Sequence, residues 1–129
     1  SAKSVDGVTW SQHSITTFIT PLAIGWSPDL SLWVVLSQGD AFSSPDGETW
    51  TAHALDDSNW KEVLWNLSSA NFLGVSTDAF GQDHVLSSDG LTWASKIPSN
   101  GGTDLATNGT TVIVVRSNVA HVTTDGGAT

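Results

Sequence analysis

Ser44-Pro45-Asp46-Gly47-Glu48-Thr49-Trp50 is the stretch that decides the fold. It recurs as Ser4-Val5-Asp6-Gly7-Val8-Thr9-Trp10 and as Ser87-Ser88-Asp89-Gly90-Leu91-Thr92-Trp93. A fourth copy, Thr123-Thr124-Asp125-Gly126-Gly127-Ala128-Thr129, stops where Trp would stand. An aspartate-glycine step favours a tight turn, because glycine accepts a positive φ and the carboxylate can accept hydrogen bonds from N–H groups two or three residues on. The Thr hydroxyl can close the loop from the other side. The Trp can then start the next strand and lay its apolar face between neighbouring sheets. Asp6, Gly7, Thr9, Trp10, Asp46, Gly47, Thr49, Trp50, Asp89, Gly90, Thr92, Trp93, Asp125 and Gly126 are read on that basis as structural turn residues.

The four aspartates are 40, 43 and 36 residues apart, a period that suits a four-stranded propeller blade. Between the boxes run short apolar or β-branched segments broken by turn residues, with no long stretch of helical period. The first full unit predicts strands over 22–26, 32–37, 41–44 and 49–54. The second predicts 63–67, 72–76, 84–87 and 91–97, and the third 104–106, 112–117 and 120–123.

The box resembles the Asp-box, Ser-x-Asp-x-Gly-x-Thr-Trp, of sialidase-type β-propellers and related proteins, which lies between the third and fourth strands of a blade. Residues 123–129 match that spacing with Thr for Ser and without the Trp. The other three copies are one residue shorter and are similar to the repeats of many phage and bacterial surface propellers. As a repeat framework the resemblance covers nearly the whole chain. It implies an all-β fold, a β-propeller of four-stranded antiparallel blades with about three blades per chain. The expected layout is a single repeat domain over 1–129. Residues 1–15 supply a strand that completes a last blade, 16–54 and 55–97 form two blades, and 98–129 form a third lacking its fourth strand.

Function is less directly written, since Asp-boxes are shared by hydrolases, lectin-like modules and purely structural propellers. A sialidase implies three arginines on the substrate carboxylate and a tyrosine nucleophile. This chain has one arginine, Arg116, and no tyrosine. Asp56, Asp57, Glu62, Asp78, Asp83 and Asp104 fall in or near predicted loops and read as solvated carboxylates. His13 and His53 each lie three residues after a box Trp, where Lys96 stands in the next unit, which suggests exposed outer-strand positions. His84 and His121 belong to no metal-binding spacing, and the segment 78–83 lacks the spacing of a calcium loop. No Gly-x-Ser-x-Gly elbow is present. The expectation is no catalytic residue, no metal and no cofactor.

Trp26 and Trp65 hold matching places in successive units and predict packing around a propeller axis. Trp60 follows the polar run Asp56-Asp57-Ser58-Asn59 and reads as an exposed aromatic, able to stack on a sugar ring while Asp57 and Asn59 bond its hydroxyls. The chain carries 4 Lys+Arg against 13 Asp+Glu, a formal charge of -9, so the footprint needed for nucleic acid is missing. The longest apolar runs, 32–36 and 112–115, are far short of the roughly 20 residues that span a bilayer. With the resemblance, these features point to a non-enzymatic module for structure and recognition in a viral or phage particle or a microbial surface protein. The expected location is extracellular or on a virion, and the ligand a glycan or cell-surface receptor. The alternatives are a lectin in its own right, or part of a carbohydrate-active enzyme whose catalytic residues lie elsewhere. Three blades are too few to close a ring. Closure is expected either from a head-to-tail homodimer of six blades, in which 8–15 of each chain completes the last blade of the other, or from further blades of a longer chain.

Overall fold

A computed structural model describes residues 1–15, 20–56, 58–77, 84–96, 102–117 and 119–124. The described residues form an all-β structure of four antiparallel sheets and no helix. The first, small sheet pairs β1 (Ala2–Lys3) with β2 (Ser11–Gln12). A four-stranded meander follows: β3 (Pro21–Ser27), β4 (Leu32–Ser37), β5 (Asp40–Ser44) and β6 (Thr51–Ala54). The next meander repeats the order with β7 (Trp60–Asn66), β8 (Asn71–Ser76), β9 (His84–Ser87) and β10 (Ala94–Lys96). The last sheet holds β11 (Asp104–Thr107), β12 (Val112–Arg116) and β13 (Val119–Thr123). Among the described residues the sheets do not close into a barrel or ring.

The leading strand of each large sheet lies beside the next, β3 along β7 and β7 along β11. Gly25 permits the first of these approaches, since a Cβ there would come within 2.9 Å of the Val63 carbonyl oxygen. Alternation along the strands gives each sheet two apolar faces. Val34, Leu36 and Ala41 of one meander pack on Val63, Trp65, Phe72 and Val85 of the next. On the opposite face of that second meander, Leu73 and Val75 pack on Leu105, Val112 and Val114. The core is thus a pair of inter-sheet layers, with a third, small cluster of Val35, Phe42 and Trp50 on the outer side of the first meander.

Three local expectations are corrected. The strands after the boxes begin at Thr51 and Ala94 instead of at 49 and 91, because the aspartate has already taken the preceding amides. Residues 8–15 do not form a lone strand. They supply only β2, which is half of a hairpin with β1, and Trp10, expected to pack between sheets, is 62% exposed. The first strand of the second meander starts at Trp60, three residues earlier than read, with a register shift between Trp60 and Glu62.

Candidate functional site

The repeated turns are built identically. In the Asp46 turn, Oδ1 accepts the N–H groups of Glu48 and Thr49 at 2.8 Å each and the Ser44 hydroxyl at 3.0 Å. The Ser44 oxygen in turn accepts the Gly47 N–H at 2.8 Å. Asp6 repeats this with Val8, Thr9 and Ser4, and Asp89 with Leu91, Thr92 and Ser87. Gly7, Gly47 and Gly90 sit at φ +75°, +76° and +73°, a region that favours glycine. Donors converging on an ionised carboxylate hold it ionised. The N–H groups two and three residues on, Thr foremost, bring Asp6 and Asp46 down to about 2 and lower Asp89 in the same way. Asp125 and Gly126 lie outside the described residues.

The small N-terminal sheet is tied to the next turn along. The Ser1 hydroxyl donates to the Gly47 carbonyl at 3.0 Å, and Lys3 Nζ reaches Glu48 Oε1 at 3.0 Å. The ion pair is largely exposed and adds little stability. Ile15 covers Val35, Phe42 and Trp50.

Trp60 overturns its expectation: it is 1% exposed and lies in the layer between the two meanders. The polar run before it ends at Asn59, and Trp60 opens a strand opposite Ser76. A ring so enclosed has no face for a sugar. Its indole N–H is buried with no partner among the described residues. The Asn59 side chain accepts from Lys61 Nζ at 3.2 Å, and Asp57 lies outside the described residues, as does the segment 78–83. Trp26 differs too, being 37% exposed where axial packing was expected.

The structure brings together one pair that the sequence reading had set apart as solvated carboxylates. Glu62 is on β7 and Asp104 starts β11, and their side chains are hydrogen-bonded, while Glu62 Oε2 accepts the Leu105 N–H at 3.1 Å. Burial raises the Glu62 carboxyl, helped by its bond to Asp104. That same bond lowers Asp104, so a proton taken up by the pair is favoured on Glu62. The signal that could have found it is position: both residues sit in the leading strand of successive units.

Among the described residues the closest Ser–His contact is Ser43 Oγ at 2.7 Å from His53 Nε2. Ser43 is buried in a sheet, and no carboxylate orients the other His53 nitrogen among the described residues, so the triad logic is missing. His13 makes a similar local contact with Ser11 at 3.0 Å. Among the described residues no group of three or more His, Cys, Asp or Glu could hold a metal ion. What is built with care is the inter-sheet junction. Trp65 Nε1 donates to Asp29 Oδ2 across it at 3.0 Å, and the Trp65 ring meets Phe72 edge-on at 4.9 Å. Compared with known proteins, the chain matches no family model, no curated protein and no solved structure.

Proposed function

We propose that this chain is a non-enzymatic module for structure and recognition, built as successive blades of a β-propeller. The observation that carries the reading is the repeated junction. Two four-stranded meanders and a three-stranded sheet stack face to face with β3, β7 and β11 side by side. The resemblance of the box to that of Asp-box propellers supports the same layout, as does its identical hydrogen bonding at three places. On the functional side, several carboxylates among the described residues are committed to turns and junctions. The three described box aspartates each bind local donors through Oδ1, Asp29 is engaged by Trp65, and Asp104 by Glu62. Such groups hold sheets in place and are not poised over an open site for a substrate.

The test is a turnover assay of the protein against fluorogenic sialosides and a broader glycoside panel, run beside a glycan array. The reading predicts no sugar release above the buffer rate, whether or not the array shows binding. Release of sialic acid or any other sugar contradicts it.

A further inference from the structure

Both ends of the sheet stack carry an apolar face that the described residues leave open. Side chains directly opposite one another on paired strands share a face. Trp26 lies opposite Trp33, Ile24 opposite Val35, and Val35 in turn opposite Phe42. Ile15 covers the outer part of that face, but Trp26 and Trp33, with rings 4.7 Å apart, are each 37% exposed, and Ile24 is more so. At the other end Ile113 faces Ala106 and Val122, and Val115 faces Ala120. This side of the third sheet is turned away from the second meander, and Ile113, Val115 and Val122 are exposed.

The chain contains its own template for what covers such faces. Trp65 and Phe72 hold in the second meander the place that Trp26 and Trp33 hold in the first, each pair one step from a turn whose last residue, Ala70 or Ser31, has φ +49°. Trp65 is only 7% exposed, because Val34, Leu36 and Ala41 of the preceding sheet lie on it. An aliphatic sheet face seated on an aromatic pair is therefore a junction this sequence already makes. Ile113, Val115, Ala120 and Val122 offer that same aliphatic chemistry to an open Trp26–Trp33 pair.

We propose that a second copy of this chain docks head to tail, the outer face of its β11–β13 sheet on the Ile24, Trp26 and Trp33 face of the first. The two patches differ and lie at opposite ends of the stack, so the contact is heterologous, and a closed pair uses both patches of each copy. Two copies supply six large sheets, within the range of propellers. The copy number rests on the propeller reading, whereas the face packing does not. The contact joins faces and does not exchange residues 8–15, whose β2 is already paired with β1. Stacking of a sugar on the Trp pair is the competing occupant.

Light scattering on the chromatographed protein at tens of micromolar decides the matter. The wild type is expected at twice the chain mass of 13.5 kDa. Ile24→Glu and, separately, Ile113→Glu are each expected at the single-chain mass with an unchanged far-UV spectrum. A one-to-one mixture of the two can form one intact junction per pair, where neither variant alone can form any, and is expected to shift from the single-chain mass toward the doubled mass. A monomeric wild type, or single variants that stay double, overturns the proposal. So does an oligosaccharide that quenches the tryptophan emission of monomeric wild type but not of Trp26→Ala. Sugar turnover would sink the functional reading without altering these masses, so the two failures are distinguishable.

Discussion

At the scale of single residues, the box aspartates act through local geometry. Their carboxylates are depressed to about 2 for Asp6 and Asp46, below the ordinary value of 3.8. A group whose folded value lies below its unfolded one contributes stability above the unfolded value and loses it as pH falls through the folded one. Thermal stability is therefore expected to fall as pH drops from about 4 to about 2, the window set by these carboxylates. Asp46→Ala should lower Tm at pH 7 and flatten that acid limb, a pair of effects that melting curves across pH will read. Glycine matters unequally at the same turn position. A Cβ on Gly47 would meet only the Lys3 Cδ at 4.0 Å, whereas on Gly90 it would meet Leu32 Cδ2 at 2.7 Å and Phe72 Cε2 at 3.3 Å. Gly47→Ala should cost about 1–2 kcal/mol for left-handed backbone. Gly90→Ala should cost about 2–4 kcal/mol once overpacking is added. Urea unfolding of both variants checks the ordering, and equal losses would contradict the packing seen around Gly90. The carboxylate's reach to residues two and three ahead was legible from Asp-Gly-x-Thr alone. That Gly90 is wedged between Phe72 of its own sheet and Leu32 of the preceding one was not, because it depends on which sheets lie face to face.

At the scale of elements, strands 32–37 and 84–87 were readable to the residue because turn residues bound their apolar runs on both sides. β7 was misplaced for a physical reason. Its first residues, Trp60, Lys61 and Glu62, continue the polarity of the preceding loop, and a bulge there breaks the alternation that would mark a strand. With the strand begun too late, Trp60 read as exposed and Glu62 as a loop carboxylate, so the Glu62–Asp104 pair between leading strands stayed hidden. That pair has a consequence of opposite sign to the box aspartates. Glu62 is raised above its ordinary 4.5, so its contribution is fully present below the unfolded value and is lost as pH rises through the folded one. Glu62→Gln keeps a donor toward Asp104 and removes the titration. The variant is expected to melt at the wild-type temperature near pH 4 and above it at pH 8. A variant less stable than wild type at pH 8 would contradict the raised Glu62 carboxyl. Truncation of the other junction should be severe. Phe72→Ala empties a fully buried site beside Trp65 and Trp93, for about 3–5 kcal/mol.

At the scale of the whole molecule, the repeat period predicted units of one size, and the structure has successive antiparallel sheets of that size stacked through their faces. Which faces stay open could not be read from the sequence, because Trp26 and Trp65 sit in equivalent patterns and differ only in what lies over them. The proposed function turns on the arrangement of those sheets about an axis. A crystal structure of the protein tests it most directly. The radial reading predicts β3, β7 and β11 innermost and side by side about a common axis, with β6 and β10 outermost and the Trp65 indole bonded to Asp29. Two large sheets packed as an aligned sandwich, with β3 and β7 apart, would contradict it.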